Sequence, residues 1–423
     1  MTYNVIIIGG GSAGLMAAVS ASQHGAKVLL VEKGNKLGRK LGISGGGRCN
    51  VTNAKELDEL IKHIPGNGRF LHSALATFSN RDIMAFFEDL GIRLKEEDNG
   101  RMFPITDKAK TVVDALITKV RSQGVEIRLQ CPVDKVLYKD GLVQGIKLRS
   151  GEVIKSHNVI IAVGGKSVPQ TGSEGDGYVW AEQAGHTITD LYPTEVALTS
   201  NEPFIQNKEL QGLSLRNISL SVWNPKNKKV IEHQGDMIFT HFGISGPTAL
   251  RCSQFVVKSI KQYKTKTVAL TLDLFPDKTA DQVSQETLIL LKDEAKKAVK
   301  NALKGYIPDR LIPRFLLKAG IEEDLTFDHI PKLQLTELTK LIKSFPISID
   351  GTLSIKEAFV TGGGVNLKEI NPKTMESKLM PGLFFCGEVM DIHGYTGGYN
   401  ITAAFTTGYT AGKNASTVSE TSY

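Results

Sequence analysis

The stretch Tyr3-Asn4-Val5-Ile6-Ile7-Ile8-Gly9-Gly10-Gly11-Ser12-Ala13-Gly14 joins a continuous apolar run to a glycine turn. A strand with no polar face belongs inside a parallel sheet that is covered on both sides. The alanine-rich segment from Leu15 to about His24 reads as a helix, and Gly25 supplies its C-terminal cap. Val28–Val31 follows as a second buried strand, so this β-turn-α-β order requires a parallel pair with a right-handed crossover. Gly9, Gly11 and Gly14 satisfy GxGxxG between the strand and the helix. The first glycine makes the turn, the second lets a pyrophosphate approach, and the third permits close helix–strand packing. Amides at the helix start would bind the phosphates. Glu32 ends the second strand, where a carboxylate accepts ribose hydroxyls.

Around this unit the chain has 423 residues, too many for one ordinary core, so two or three domains are expected. Its 41% hydrophobic and 22% charged composition is that of a globular protein. The 42 glycines fit phosphate-binding turns rather than disorder, because no Gly/Ser-rich linker accompanies them. Cys49, Cys131, Cys252 and Cys386 form no CxxC pair, which argues against a disulfide framework, a redox dithiol and a metal site. The first eight residues read as a strand rather than a leader, and no apolar run reaches membrane-spanning length. The expectation is a cytoplasmic protein with no membrane partner.

Between Pro193 and about Leu274 the pattern changes to alternation: Leu213, Leu215, then Ile218, Leu220, Val222, and later Val268, Leu270, Leu272, Leu274. That is antiparallel structure with one wet face, and Asn224-Pro225-Lys226-Asn227 is a turn within it. From about Asp281 the period is helical, with Leu288, Leu291, Ala295, Ala298 and Ala302 on one face and Gly305 closing the helix. Leu335, Leu338, Leu341, Ile342 and Phe345 give another helix. The organisation read from these periods is a nucleotide-binding domain of residues 1–192 and 346–423. A β-barrel-like insert (193–276) and a helical insert (277–345) interrupt it.

FAD and NAD share the glycine fingerprint, so other segments must choose between them. Gly382-Leu383-Phe384-Phe385-Cys386-Gly387-Glu388 is a short buried strand running into a Gly-acidic pair. Gly397-Gly398-Tyr399-Asn400 then opens a helix from Ile401 to about Tyr409, whose first amides would face the N1–C2=O edge of a flavin and stabilise the reduced ring. Val159-Ile160-Ile161-Ala162-Val163-Gly164-Gly165 is a third strand ending in a glycine turn, as expected where the chain passes the cofactor again. Three such segments favour FAD. No second GxGxxG occurs near residues 150–200, so any NADH or NADPH donor would reach the flavin transiently, without a domain of its own.

Longer motifs carry a resemblance. Leu37-Gly38-Arg39-Lys40, Ser44-Gly45-Gly46-Gly47-Arg48-Cys49-Asn50-Val51-Thr52-Asn53, Gly100-Arg101-Met102-Phe103-Pro104, Thr240-His241-Phe242-Gly243-Ile244-Ser245-Gly246-Pro247 and Gly394-Tyr395-Thr396-Gly397-Gly398-Tyr399-Asn400 closely resemble the BaiN/YhiN-type bacterial flavoproteins, nearly end to end. The resemblance implies an α/β fold: a glutathione-reductase-like FAD-binding Rossmann domain interrupted by an insert with a β-barrel-like and a helical part. It also implies FAD contacts at Ser12, Ala13, Glu32, Lys33, Arg39, Lys40 and the loop from Ser44 to Asn50, which includes Gly45, Gly46, Arg48 and Cys49. Val133 would meet the adenine through its backbone, and Gly164, Glu388, Asn400 and Ile401 would complete the site. Activities attributed to this family are enone reduction in bile-acid metabolism, aminoacetone oxidation and uridine reduction in large-subunit ribosomal RNA.

Uracil and a steroid enone both present a C=C bond conjugated to a carbonyl. Hydride from flavin N5 goes to the β-carbon, and the protein must supply donors to the carbonyl oxygen and one proton. His241, His393, Tyr395 and Cys49 are the candidates for acid or donor, and Lys166 for stabilising the reduced flavin; packing or solvation is the plain alternative for each. Arg48 and Arg101 are the candidates for an anionic group, Arg48 more naturally for an FAD phosphate. The net charge of +7 is concentrated in the insert, with 22 basic and 17 acidic residues from Pro193 to Phe345. Lys226, Lys228, Lys229, Lys258, Lys261, Lys264, Lys266, Lys292, Lys296, Lys297 and Lys300 would serve ribosomal RNA if they share a face, and otherwise make a solvated surface. The leading expectation is an NAD(P)H-driven reductase of rRNA uridine. The alternatives are a small-molecule amine oxidase and a small-molecule enone reductase.

Overall fold

The computed structural model describes residues 3–417 and divides into two compact units, one running up to Tyr192 and resuming at Ile355, the other Pro193–Ser354. In the first unit the strands Tyr3–Ile8 and Val28–Val31 pair in parallel, Val5 opposite Val28 and Ile8 opposite Val31. The sheet continues in parallel through Glu126–Arg128 on one side. On the other lie the long strand Val153–Ile161 and, beyond it, Leu383–Phe385 from near the end of the chain. The first half of Val153–Ile161 also pairs antiparallel with Leu142–Leu148, part of a hairpin with Val133–Lys139. The apolar runs of the sequence are therefore central strands: Val5, Ile6, Ile7, Val159, Ile160, Ile161, Phe384 and Phe385 are all fully buried.

Two helices cover this sheet in direct contact with each other, Ser12–Gln23 and the C-terminal Tyr399–Thr417. Their interface is made of small residues. A Cβ on Gly408 would lie 2.3 Å from the Ala13 carbonyl oxygen, and one on Gly412 would lie 2.3 Å from that of Ala17. The two ends of the sequence are thus bound together by backbone-to-backbone packing that only glycine allows.

In the second unit seven strands run antiparallel wherever they pair, from Phe345–Ile349 at one edge through Val268–Asp273, Ser214–Trp223, Lys229–Phe239, Gly243–Ser245 and Leu198–Thr199 to Gly351–Thr352 at the other. The two edge strands are separated in sequence by Asp350 alone, so the sheet curls until its edges meet, and the barrel-like form follows. Helix Pro247–Tyr263 packs on this sheet, and one apolar core runs from Leu198 to Ile349 through both strands and helices.

Three differences from the sequence reading have local causes. The chain does not return to the nucleotide-binding unit at residue 346, because Phe345–Ile349 pairs with Val268–Asp273 inside the insert's sheet. The helix expected from about Asp281 to Gly305 is two helices, Ala280–Asp293 and Val299–Ala302. Ala298 between them is extended and bridges Thr326, while the Val299 amide donates to the Leu325 carbonyl, so a tertiary strand contact replaces the helical bonds. The later helix ends at Lys343, and Phe345 starts the edge strand instead of closing it.

Candidate cofactor site

The glycine turn has the shape its sequence implies. Gly9 takes φ +105°, and a Cβ there would stand 2.5 Å from the Ala162 carbonyl oxygen. A Cβ on Gly14 would fall 1.9 Å from the Gly9 carbonyl oxygen, so the helix sits hard on the turn. At Gly11, by contrast, nothing lies within 4 Å of the Cβ position. The open space is at the one fingerprint glycine where a pyrophosphate must approach. The helix that starts at Ser12 has no capping side chain and no acidic residue in its first turn, which leaves its first amides available to an anion.

Glu32 holds this turn from the other side. Its Oε2 accepts from the Gly10 amide at 2.8 Å and its Oε1 from the Gly34 amide at 2.7 Å. Each oxygen keeps a second lone pair for a ribose hydroxyl. The Cys131 amide donates to the Glu32 carbonyl and the Gln130 amide to that of Gly34, which brings the segment leading into Val133 alongside Glu32. Val133 itself is buried at the start of its strand.

Ser167–Asp176 is tied to the segment after Glu32 by three cations. Lys33 Nζ meets Asp176 at 2.5 Å and Glu174 at 2.6 Å; burial alone would lower its pKa, but the two carboxylates raise it. Arg39 donates to the Gln170 carbonyl at 2.6 Å. Lys40 donates to Ser167 Oγ at 2.9 Å and to Glu388 at 2.7 Å. Glu388 accepts further bonds from the Ser167 hydroxyl and the Thr361 amide. Burial would raise its pKa, yet the Lys40 charge and these donors outweigh it and hold the carboxyl below its ordinary value. The charged ends of Lys33 and Arg39 thus each meet protein groups, two carboxylates at Lys33 and one carbonyl at Arg39.

In the loop after Lys40, Gly45, Gly46 and Gly47 are all left-handed (φ +56°, +68° and +85°), and Cys49 follows at φ +61°. Cβ positions on Gly46 and Gly47 meet nothing within 4 Å, and Ser44 donates to the Leu41 carbonyl. The Arg48 guanidinium bonds Glu97 and Asp107 (2.8 Å) and lies 4.1 Å over the Phe103 ring. Arg101 also lies over Phe103, at 5.6 Å, and donates to the Asp98 carbonyl. Asn50 is buried, and its side-chain oxygen has no hydrogen-bond partner. That orphaned acceptor lies 3.0 Å from where a Gly398 Cβ would be, at the start of the C-terminal helix. Gly387 touches Ala13 in the same way, its would-be Cβ 2.8 Å from that of Ala13. Gly9–Gly14, Glu32, the 44–50 loop, Ala162–Ser167, Gly387-Glu388 and Gly398–Ile401 therefore lie in one connected surround within the first unit.

The C-terminal helix begins at Tyr399 with no acidic residue in its first turn. The Asn400 side chain is occupied with the preceding loop: it accepts from the Gly394 amide (2.7 Å) and donates to the Gly394 carbonyl (2.8 Å). It shapes the helix entrance, and Ile401 beside it is half-buried. The open Gly11, the uncapped helix start, the orphaned Asn50 oxygen and the Glu32 carboxylate all fit an extended dinucleotide carrying a flavin.

The proton-donor candidates separate. His393 is buried, its Nε2 2.9 Å from the Tyr192 hydroxyl. Tyr192 was not singled out in the sequence, where it is one aromatic residue before Pro193; only the fold brings it to His393. Burial, then the nearby Asp391, raises its pKa, so the phenol stays neutral. Tyr395 is buried and packs edge-on against His63. Cys49 is fully buried, and burial pushes its thiol up to about 12, against a smaller opposite effect of Ser44. Lys166 is exposed; its amide donates to Thr361 Oγ1. His241 belongs to the second unit, exposed and edge-on to Phe242. Among the described residues no His/Cys/Asp/Glu group suits a metal ion, and no helix is long and apolar enough to cross a membrane.

The family profile described as "HI0933-like protein Rossmann domain" matches residues 3–414. The chain is 33% identical to the ribosomal RNA dihydrouridine synthase of Escherichia coli K12, over 96% of each protein. It is 30% identical to the 3-dehydro-bile acid delta(4,6)-reductase of Clostridium scindens, over 97% of this chain and 98% of the relative. Among solved structures, the 3-ketosteroid delta1-dehydrogenase of Sterolibacterium denitrificans aligns over 98% of this chain and 99% of its own (TM-score 0.52, 13% identity), a likeness of fold.

Proposed function

The chain belongs to the HI0933-like family and is an FAD-dependent oxidoreductase; from that premise we propose that it reduces C=C bonds conjugated to a carbonyl, with uridine in large-subunit ribosomal RNA as its substrate and NADH or NADPH as the electron donor. One observation carries this reading. Two relatives aligned over nearly their full length are named for different substrates, an RNA uridine and a bile acid, yet both names describe hydrogenation of such a bond.

When bound, FAD would supply hydride chemistry at the β-carbon, which in uracil is C6. The remaining work belongs to the protein. The helix start at Tyr399 would turn its amide dipoles toward the pyrimidine edge of a bound flavin, where negative charge accumulates on reduction. Tyr192, held neutral and paired with His393 Nε2, is the candidate for donating to the carbonyl oxygen or returning a proton to the α-carbon. Cys49, a neutral thiol across the working pH range, is the second candidate. His241 is the candidate on the insert. A base inside folded RNA must also leave its stack before reduction. An RNA substrate of this kind places the work in the cytoplasm.

The deciding experiment is anaerobic stopped-flow of the purified yellow protein with NADH, NADPH and aminoacetone, joined to nucleoside analysis of ribosomal RNA from a deletion strain. Rapid flavin reduction by a nicotinamide and loss of dihydrouridine are expected. Rapid reduction by aminoacetone with peroxide formation in air would instead make the protein an amine oxidase.

A further inference from the structure

The insert's lysines do not form one uniform coat. Lys278, Lys297, Lys300, Lys340 and Lys343 each face a carboxylate: Glu286, Glu294, Asp324, Glu337 and Asp273 respectively. Two other stretches, Trp223–Ile231 and Lys258–Val268, contain seven lysines and no Asp or Glu. The fold brings these two stretches to the same end of the second unit. The first is the hairpin turn between strands Ser214–Trp223 and Lys229–Phe239. The second is the C-terminus of helix Pro247–Tyr263 and the loop into strand Val268–Asp273. Trp223 pairs with Ala269 across that end, and Asn224 donates to the Tyr263 hydroxyl at 3.2 Å, so the two loops are joined side by side.

Both loops are also fixed. Asn224 Oδ1 accepts from the Lys226 and Lys228 amides, and Asn227 takes φ +55°. Lys264 takes φ +50° as the helix C-cap, and Thr265 caps the Thr267 segment. Lys226, Lys228, Lys264 and Lys266 are all exposed. Of the hairpin lysines, among the described residues, Lys229 alone is paired, with Glu232 at 2.5 Å. Balancing the helix dipole accounts for Lys264 at the helix end. It does not account for Lys226 and Lys228 on the hairpin or Lys266 beyond the helix. Four exposed lysines on two hydrogen-bonded loops joined side by side make a local surplus of positive charge that an anion would share favourably.

We propose that this rim is the insert's docking surface for the phosphate backbone of RNA, contacting phosphates through Lys226, Lys228, Lys264 and Lys266. It rests on the reading of RNA uridine as substrate and specifies where the RNA backbone is held. Such contacts set affinity and register and carry no base specificity.

The test compares the full-length FAD-loaded protein with two fourfold variants of equal charge change. One is Lys226→Gln, Lys228→Gln, Lys264→Gln and Lys266→Gln at the rim. The other is Lys278→Gln, Lys297→Gln, Lys300→Gln and Lys340→Gln on the helical side. Binding to an in-vitro transcript of large-subunit ribosomal RNA is titrated over a range of KCl, alongside dihydrouridine formation and flavin reduction by NAD(P)H. The rim variant is expected to bind at least about tenfold more weakly, and its salt slope to fall by about 3, as four lost phosphate contacts require. Flavin reduction and the helical-side variant should be unaffected. Equal losses in both variants, or none at the rim, would overturn the proposal. So would a rim variant that loses binding to phosphatidylglycerol vesicles while keeping RNA. If the wild type forms no dihydrouridine, the functional reading fails and takes this surface with it. If it does and the rim variant matches it at every salt concentration, only the surface fails.

Discussion

Gly11 and Gly14 stand three positions apart and answer to different forces. Gly11 has φ −80° and ψ −171°, a conformation open to any residue, and clear space where a side chain would go. Gly14 is packed against the Gly9 carbonyl. Gly11→Ala is therefore expected to leave the thermal midpoint of the apoprotein nearly unchanged while FAD titration shows a loss of affinity, because the methyl occupies the pyrophosphate's approach. Gly14→Ala should lower the midpoint of the apoprotein itself. Equal effects of the two on the apoprotein would show that Gly11 is structural. Glu32 gives a related expectation: Glu32→Gln weakens FAD by about 10- to 100-fold, the range for losing charge-assisted hydrogen bonds, measured by flavin fluorescence.

Among elements, the contact between Ser12–Gln23 and Tyr399–Thr417 joins the proposed phosphate-binding end of the site to its proposed flavin end. Gly408 and Gly412 were visible in the sequence, but nothing there announced that they face Ala13 and Ala17 from nearly four hundred residues away. Gly408→Val forces the helices apart and should cost about 3 kcal/mol, at the upper end for overpacked interiors, read as a lowered urea midpoint. Because the first helix carries the amides proposed to bind phosphate, the same variant should release FAD more readily. Retained FAD affinity at lowered stability would separate the two roles.

For the whole molecule, the insert is one unbroken stretch with its own sheet and core. Residues 193–354 produced alone are expected to unfold cooperatively in urea; a broad, non-cooperative transition would show dependence on the rest of the chain. Stability should also fall at both pH extremes. Burial lowers the pKa of His186, which stays neutral between Glu369 and Ser377, so protonation of the unfolded chain below about 6.5 removes stability as pH falls. Burial raises Cys49, Cys252 and Cys386, so stability present up to about pH 9 is lost as pH rises and the unfolded thiols ionise first. Each such thiol contributes about 1.4 kcal/mol per pH unit, and urea midpoints at pH 5, 7, 9 and 10.5 measure the result.

By itself the sequence determined the parallel βαβ opening, the dinucleotide fingerprint with its acidic partner, and the presence of a β-plus-helical insert. Each of these is written in short-range periodicity and turn chemistry, in which the side chain's own preferences decide. Tertiary structure alone decided which partner each long side chain takes. Arg48 goes to Glu97 and Asp107, Lys33 to Glu174 and Asp176, and Tyr192 to His393, because hydrogen bonds and ion pairs reach across sequence distances that no local pattern encodes. It also decided the break at Ala298 and the late return of the chain at Ile355, where pairing with a distant strand overrode a helical period. The lysines of the insert show the same division. Their number was plain from the sequence, but only the fold neutralises some and gathers others on one rim.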